Sequence, residues 1–167
     1  GKNASGQRLN QVLMLDVGTG RWLQKSPMPT ARDTLRLIHI NNKIWAIGGA
    51  VTSQGNATAK VEIYDVAGDS WSAGTDLPTA RNSPSAWEHN NRVFVAGGHD
   101  GSAFLNSVEI FIPESSQWLP AGTLPENKYV ADAAVLGGKV YVLAGRKSLG
   151  TNTNKVFAAD LPPPAMN

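Results

Sequence analysis

A repeated pattern with a period of 47 to 49 residues limits what this chain can fold into. A valine opens each cycle, a tryptophan follows ten residues later, and a proline follows the tryptophan by seven. A segment that ends in glycine closes the cycle and reads KIWAIGG at 43–49, RVFVAGG at 92–98 and KVYVLAG at 139–145. Internal repeats of this length are typical of solenoids and propellers. The recurring residues are Val12, Val61, Val108 and Val156, then Trp22, Trp71 and Trp118, then Pro29, Pro78 and Pro125.

Each period contains four short segments with strand character, which we name strands A to D. Strand A covers 34–40, 83–89 and 130–136, and Asn-Asn or Gly-Gly pairs that accept positive φ connect it to strand B, the glycine-ended segment. Strand C begins at the repeated valine, and strand D carries the tryptophan. Four antiparallel strands per period predict the blade of a β-propeller.

Composition supports an all-β chain and argues against several classes of function. The 167 residues include 17 Gly and 10 Pro, and long stretches with helical periodicity are missing. The net charge of +2 gives no basis for a nucleic-acid or membrane partner, and there is no apolar run long enough to span a bilayer. Without cysteine, the chain cannot form disulfides, zinc–thiolate sites or cysteine nucleophiles.

The marker residues of one cycle resemble a kelch repeat. They are Gly48-Gly49, Val61-Glu62, Tyr64-Asp65, Trp71 and the segment LPTAR at 77–81. The set recurs in the next cycle as Gly97-Gly98, Val108-Glu109, Trp118 and Pro125. The three repeated tryptophans are followed by Leu, Ser and Leu, whereas a WD repeat requires Asp. The resemblance covers essentially the whole chain and implies an incomplete kelch β-propeller.

The predicted strands make two complete blades and two partial ones. Propellers close with about four to eight blades, so the missing strands must come from elsewhere. We expect a fragment of a longer chain, with ring completion by a second copy or an open arc that needs a partner as the alternatives. The predicted units are 1–27 (strands C and D), 28–76, 77–123 and 124–167 (strands A, B and C).

Two further patterns predict contacts that hold the blades. The aromatic residues three positions before the glycine pair, Trp45, Phe94 and Tyr141, should pack between successive blades. An arginine after the repeated proline occurs together with a glutamate in strand C, which predicts an ion pair across the blade; an arginine ring for anionic ligands is the alternative. The pairs are Arg32 with Glu62 and Arg81 with Glu109, and the third cycle has Lys128 and Phe157 instead.

The loops from strand D to strand A and from strand B to strand C should emerge on one face, where ligands and partners are expected to bind. These loops cover 28–34, 77–83, 124–130, 50–60, 99–106 and 146–154. The candidate ligand-binding residues are Arg32, Asp33, Arg81, Asn82, His99, Asp100, Phe104, Lys128, Tyr129 and Arg146. Arg36, Ser85 and Asp132 occupy equivalent positions of strand A and are expected to face a central channel.

The resemblance implies a protein-interaction scaffold whose loops bind a protein partner. A carbohydrate-binding or carbohydrate-modifying propeller, similar to the kelch-type sialic-acid mutarotases, is the alternative, and an acid–base pair with a raised carboxyl pKa would favour it. The copper oxidases among these propellers need a cysteine that this chain lacks, and His39, His89 and His99 do not have metal-ligand spacing. No catalytic residue, metal or cofactor is therefore predicted, and a binding function is favoured over an enzyme.

Overall fold

The structure is a computed structural model that describes residues 1–52 and 56–162. Residues 53–55 of the predicted first B–C loop and 163–167 of the last predicted unit lie outside the described residues. Within the described ranges the regular elements are all strands. They are β1 (Val12–Asp16), β2 (Arg21–Lys25), β3 (Arg36–Ile40), β4 (Lys43–Ile47), β5 (Val61–Asp65), β6 (Ser70–Ala73), β7 (Ser85–His89), β8 (Arg92–Ala96), β9 (Ser107–Ile112), β10 (Gln117–Thr123), β11 (Asp132–Leu136), β12 (Lys139–Leu143), β13 (Arg146–Ser148), β14 (Thr151–Asn152) and β15 (Val156–Asp160).

The strands form consecutive antiparallel sheets, as the repeat predicts. β3–β4–β5–β6 is the first blade and β7–β8–β9–β10 is the second blade, each with four strands in chain order. β11–β12–β15 is the third blade with three strands, and β1–β2 is an N-terminal hairpin. The small hairpin β13–β14 lies within the predicted loop 146–154. The chain is therefore an all-β, unclosed propeller.

The first strand of each blade begins two residues later than predicted. β3, β7 and β11 start at Arg36, Ser85 and Asp132, and the residue two positions earlier has a left-handed backbone in every blade. That conformation cannot continue a pleated strand. The residues are Thr34 (φ 54°), Ser83 (φ 49°) and Val130 (φ 55°).

Apolar side chains between the sheets form two cores. The core between the first and second blades contains Ile47 and Val61 from one side and Val95 and Phe111 from the other. Trp45 meets Phe111 edge-on, with ring centroids 5.0 Å apart, so this predicted contact between blades is confirmed. Phe94 belongs to the second core, which joins the second and third blades. Burying rings of this size contributes about 2–3 kcal/mol each.

The repeated tryptophans bind the preceding sheet in the same way. The indole Nε1 of Trp71 donates to the Ser26 carbonyl oxygen at 2.9 Å, and that of Trp118 donates to the Thr75 carbonyl oxygen at 2.8 Å. Each acceptor lies four residues after the preceding tryptophan. Trp22 of the N-terminal hairpin is 65% exposed, because no sheet among the described residues lies in front of it. Its exposure marks one open end of the propeller.

Candidate functional site: the loop face

The D–A and B–C loops of each blade lie side by side and form what we call the loop face. Asp33 bridges to Ala50, Asn82 to His99, and Tyr129 to Arg146, each through a pair of backbone hydrogen bonds of 2.8–3.1 Å. Neighbouring blades are tied at the same level, because the Lys128 N–H donates to the Leu105 carbonyl oxygen at 3.0 Å. The loop face is therefore a continuous hydrogen-bonded surface.

The repeated glycines permit the close approach of one blade to the next. The Gly98 N–H donates to the Lys128 carbonyl oxygen at 2.7 Å, and the φ of Gly97 is 63°. A Cβ atom at Gly97 would lie 2.3 Å from that same carbonyl oxygen. Only glycine accepts both the left-handed backbone and this approach.

Two of the candidate ligand-binding residues, Arg32 and Arg81, are buried inside their blades. Arg32 Nη1 lies 3.1 Å from Glu62 Oε2, and Arg81 Nη2 lies 2.9 Å from Glu109 Oε1. Both arginines are 0% exposed, so the predicted ion pair is confirmed and the expectation that they contact a ligand is wrong. Burial lowers the pKa of the Arg32 guanidinium, and the charge of Glu62 opposes that shift. The two arginines therefore stabilise the loops from inside the blades and are not part of the exposed surface.

Lys128 is also buried, and the expectation that it contacts a ligand is wrong for the same reason. Its Nζ donates to the carbonyl oxygens of Ala144 (2.9 Å) and Lys155 (3.2 Å) and lies 4.7 Å from the centroid of the Phe157 ring. A carboxylate oxygen of Glu126 is 3.5 Å away. The ammonium group is satisfied by carbonyl groups, a ring face and a nearby carboxylate.

Three aromatic side chains from two blades converge on the loop face. His99 and Phe104 belong to the B–C loop of the second blade, and their ring centroids are 4.8 Å apart. Tyr129 comes from the D–A loop of the third blade and lies 5.6 Å from Phe104 and 6.1 Å from His99. All three are half-buried. The sequence placed these residues on the same face, and the structure brings them into one edge-to-face cluster.

The aromatic cluster lines a cavity of about 220 Å³. Gly101 N donates to His99 Nδ1 at 3.0 Å, which leaves the proton of a neutral ring on Nε2. Leu149, which the sequence analysis missed, also lines the cavity and is 80% exposed. The complete lining is Asn56, Asn82, His99, Gly101, Phe104, Tyr129 and Leu149.

The predicted carboxylates of the loop face serve their own loops. Asp100 Oδ1 accepts hydrogen bonds from Ala103 N and Ser102 N at 2.7 Å, and these bonds lower the pKa of Asp100. Burial raises the pKa of Asp33, but its bonds to Lys2 and Arg8 outweigh burial and hold the pKa below its ordinary value.

Two of the remaining candidates face other loop residues or solvent. Asn82 Oδ1 accepts a hydrogen bond of 2.6 Å from Thr34 Oγ1, which links the first and second blades. Arg146 is exposed next to Tyr129. Arg146 is therefore the one cation among the candidates that lies open to solvent.

The three predicted channel residues have different environments. Arg36 donates to the carbonyl oxygens of Pro84 (2.7 Å) and Ala131 and so ties the inner strands of three blades. Ser85 is 2% exposed, so its side chain does not lie open to solvent as the side chain of a channel-lining residue would. Asp132 is exposed.

Glu126 is a loop-face residue that the sequence analysis did not select. It occupies the position of Thr30 and Thr79 in the earlier cycles. Burial raises its pKa, but hydrogen bonds from Lys155 and Thr153 outweigh burial, and the pKa of Glu126 is lowered. The change from threonine to glutamate within the repeat was the signal that could have identified it.

Within residues 1–52 and 56–162, no group of three or more His, Cys, Asp or Glu side chains could hold a metal ion. The same ranges contain no helix long and apolar enough to cross a membrane.

Comparison with known proteins places these features among kelch repeats. Residues 1–145 match the family described as the KLHDC2/KLHL20/DRC7 Kelch-repeats domain. The chain is 46% identical over 154 residues to Kelch-like protein 35 of Homo sapiens, which covers 92% of the chain and 25% of that protein. It is 40% identical over 63 residues to Kelch-like protein 35 of Mus musculus, which covers 38% of the chain and 11% of that protein. The chain thus spans a quarter or less of these relatives.

A solved structure has the same fold. The structure of YjhT matches with a TM-score of 0.77 and 20% sequence identity. The match covers 90% of this chain and 56% of that one. At this identity the likeness concerns the fold alone.

Proposed function

This chain belongs to the kelch-repeat family, and we propose that it is a protein-interaction scaffold that binds a protein partner through its loop face. The interlocked blades hold the D–A and B–C loops at fixed positions, which limits the entropy that the loops lose on binding. Fold alone does not assign a function, so the proposal depends on the site that the loops form.

The observation that carries this proposal is the cavity of about 220 Å³ within the aromatic cluster. Interfaces depend on a few anchors, which are enriched in aromatic residues and fill partly enclosed pockets. His99, Phe104 and Tyr129 provide such a pocket, and the exposed Leu149 extends its apolar rim. We infer that one apolar side chain of the partner enters the cavity and that polar loop groups contact the segment around it.

Photo-crosslinking tests where the partner binds. A photoreactive amino acid replaces Leu149 at the rim of the cavity, and the matched control replaces Val66, an exposed apolar residue in the turn between β5 and β6. We expect the photoreactive residue at position 149 to crosslink the partner protein. We expect the photoreactive residue at position 66 not to crosslink it. Equal capture from both positions would contradict binding at the loop face.

Affinity measurements test the anchor pocket itself. Tyr129→Ala removes one wall of the cavity, and we expect it to weaken binding of the captured partner about tenfold or more. Val66→Ala is the control and should leave the dissociation constant unchanged. An unchanged dissociation constant for Tyr129→Ala, measured on a variant with wild-type thermal stability, would show that the cavity is not the anchor site.

A carbohydrate ligand is our second proposal for the same site. Aromatic ring faces and the Asn56 and Asn82 amides around the cavity are groups that can pack against a sugar ring and hydrogen-bond its hydroxyls. The loop-face carboxylates Asp33, Asp100 and Glu126 have lowered pKa values, which suit binding better than general acid catalysis. Binding to a glycan array that Tyr129→Ala abolishes would favour the sugar over the protein partner.

We also propose that further residues of a longer chain supply the remaining blades. Both ends of the described arc present apolar side chains to solvent, including Leu15 and Trp22 on the N-terminal hairpin and Leu143 on the third blade. Such faces pack against further sheets in a closed ring. Light scattering on the longer protein should give a monomer, and a stable dimer would favour ring completion by a second copy.

A further inference from the structure

The turns that join strand A to strand B form the face of the blades opposite the loop face, and we call it the turn face. These turns are 41–42, 90–91 and 137–138, and they lie at the opposite end because strands A and B are antiparallel. All six turn residues have positive φ, between 49° and 73°. The first two turns are Asn-Asn and the third is Gly-Gly, so the backbone conformation does not require an amide side chain.

A cavity of about 200 Å³ lies on the turn face between the first and second blades, and we call it the turn-face pocket. Trp45 of the first blade lines it together with Phe111 and Pro113 of the second blade. The two aromatic rings meet edge-on with centroids 5.0 Å apart, and both pack into the core between the blades. This packing holds the aromatic wall of the pocket in place.

Two amide side chains from different blades also line the turn-face pocket. Asn41 Nδ2 donates to Asn91 Oδ1 at 2.6 Å, which orients the two exposed amides relative to each other. Among the described residues, Asn41 Oδ1 and Asn91 Nδ2 have no hydrogen-bond partner. The pair therefore offers a ligand one acceptor and one donor group beside the aromatic wall.

Lys43 adds a third polar group to the lining of the pocket. Its Nζ lies 3.9 Å from Asp65 Oδ2, and both side chains are exposed. An anionic ligand would be repelled by Asp65 as well as attracted by Lys43, whereas a neutral hydroxyl group can accept a hydrogen bond from the ammonium without that repulsion. The polar groups therefore favour a neutral ligand with hydroxyl groups over an acid.

The second of the two junctions between the three blades lacks these features. Gly138 occupies the position of Asn91 there, and Ala159 occupies the position of Phe111. Neither the bridging amide nor the second ring is present at that junction. The combination of amides and rings is therefore not a requirement of the repeat.

We propose that the turn-face pocket binds the ring of a neutral sugar. A pyranose ring has a flat patch of C–H groups surrounded by hydroxyl groups that both donate and accept hydrogen bonds. The C–H patch packs against Trp45, while the hydroxyl groups accept from Asn91 Nδ2 and donate to Asn41 Oδ1. Apolar protein side chains lack the surrounding hydroxyl groups, so a sugar suits the pocket better than a peptide does. The site is separate from the loop face and does not depend on the function proposed above.

Saturation-transfer difference NMR on the intact protein tests for this ligand. The probes are the methyl glycosides of glucose, galactose, mannose and N-acetylglucosamine. Sorbitol is the control, because it has the hydroxyl groups of a sugar without the ring. We expect saturable binding of a glycoside in the millimolar range, as is usual for a ligand of so few atoms, and no binding of sorbitol. Binding of none of the glycosides, or equal binding of sorbitol, would overturn the proposal.

Glycine substitutions in the two Asn-Asn turns locate the bound sugar. Asn41→Gly and Asn91→Gly remove the amides of the pocket and keep a turn that the third blade makes with Gly-Gly. Asn42→Gly and Asn90→Gly are the matched controls, because they change the same turns at positions that do not line the pocket. We expect the first pair to weaken glycoside binding about fivefold and the controls to leave it unchanged. Equal effects of the two pairs, in variants with wild-type thermal stability, would overturn the proposal.

The indole N–H resonance of Trp45 reports contact with the sugar. Trp45→Phe assigns this resonance, and phenylalanine is compatible with the repeat because Phe94 occupies the equivalent position in the second blade. We expect the resonance to shift as the glycoside is added, and we expect the resonance of Trp22, which lies on the N-terminal hairpin, to remain unchanged. An unchanged Trp45 resonance at saturating glycoside would overturn the proposal.

Tyr129→Ala separates the turn-face pocket from the loop face. We expect this variant to bind the glycoside as the parent protein does, and we expect Asn91→Gly to bind the partner protein of the loop face normally. Loss of glycoside binding in Tyr129→Ala, with binding kept in Asn91→Gly, would place the sugar on the loop face and overturn the proposal. Failure of the turn-face pocket to bind a sugar would leave the proposal for the loop face unaffected.

Discussion

The second and third blades hold their glycine-ended turns with the same backbone contacts but different side chains. In the second blade, Arg81 Nη1 donates to the carbonyl oxygens of Gly97 (2.7 Å) and Ser107 (3.1 Å). In the third blade, Lys128 Nζ donates to the carbonyl oxygens of Ala144 (2.9 Å) and Lys155 (3.2 Å), which are the equivalent positions. The feature common to both blades is a buried cation that joins the end of strand B to the start of strand C.

The partner of the cation is what differs. Glu109 of strand C faces Arg81, whereas Phe157 occupies the same position in the third blade and presents its ring to Lys128. A carboxylate is still present, but it is Glu126 on the D–A loop at 3.5 Å from the ammonium. A planar guanidinium suits a bidentate carboxylate, whereas a compact ammonium accepts a ring face and carbonyls. In these two blades the carbonyl contacts are therefore the same for an arginine and a lysine, whereas the carboxylate comes from strand C in one and from the D–A loop in the other.

The largest expected effect comes from removing the carboxylate in the second blade. Glu109→Gln keeps the shape of the side chain and leaves the fully buried guanidinium of Arg81 without its counter-charge. Breaking a buried pair from one side costs about 3–5 kcal/mol. The free energy of unfolding from urea denaturation measures this loss. Glu114→Gln, at an exposed site in the turn after β9, is the matched control, and equal stabilities of the two variants would refute the role of the pair.

Converting the third blade to the chemistry of the second blade has the next largest effect. Phe157→Glu alone places a second carboxylate near Lys128 and removes a ring contact, and Lys128→Arg alone puts a larger group above Phe157. The two substitutions together rebuild an Arg–Glu pair. We expect a favourable coupling of about 1–3 kcal/mol in a double-mutant cycle measured by urea denaturation. Additive effects would show that the third blade cannot adopt the geometry of the second blade.

Part of this difference between the second and third blades could be predicted from the sequence. The arginines and glutamates recur together, so their pairing followed from the repeat alone. The position of the carboxylate in the third blade did not follow from the repeat. The repeat predicts a glutamate in strand C, whereas Glu126 lies on the D–A loop. The burial of Lys128 was also missed, because a charged residue in a loop segment is usually exposed and only the packing shows otherwise.

The aromatic cluster was predictable as a set of loop residues but not as a cavity. Phe104 and Tyr129 come from different blades and meet only because the second and third sheets stack at a fixed distance. Leu149 lines the same cavity from the segment 146–154. The sequence predicts this segment as a loop, whereas the structure contains the strands β13 and β14 there. The periodicity of the repeat therefore predicts the strands and their order. It does not predict the conformation of loops that differ in length between repeats, because tertiary contacts determine it.

The first blade differs from the other two in a carboxylate whose contribution to stability depends on pH, and this contribution is expected to be smaller than the two effects above. Asp33 binds Lys2 and Arg8, whereas the equivalent residues Asn82 and Tyr129 carry no carboxylate. Because the pKa of Asp33 in the folded protein lies below its ordinary value of 3.8, its contribution to stability is present above that value and is lost as the pH falls through the lowered pKa.

Asp33→Asn tests this pH dependence. The variant should be less stable than the parent protein at pH 7, and the difference should shrink as the pH approaches 3 in urea denaturation series. Asp132→Asn, at an exposed position of β11, is the control and should show no such trend. A stability difference for Asp33→Asn that stays constant over this range would contradict the lowered pKa.

The smallest expected effect concerns the residue that precedes the first strand of each blade. Thr34, Ser83 and Val130 all have a left-handed backbone, and Val130 is the β-branched aliphatic among them, with φ at 55°. Its N–H donates to the Ser83 carbonyl oxygen at 3.2 Å, so the strained conformation is kept by the contact between blades. A left-handed conformation costs a residue with a side chain about 1–2 kcal/mol, and glycine adds about 0.5–1 kcal/mol of chain entropy. Val130→Gly should therefore stabilise the protein by up to about 1 kcal/mol in urea denaturation, whereas Val135→Gly within β11 should destabilise it by a similar amount. Destabilisation by Val130→Gly would mean that the valine side chain contributes more to the junction than its backbone strain costs.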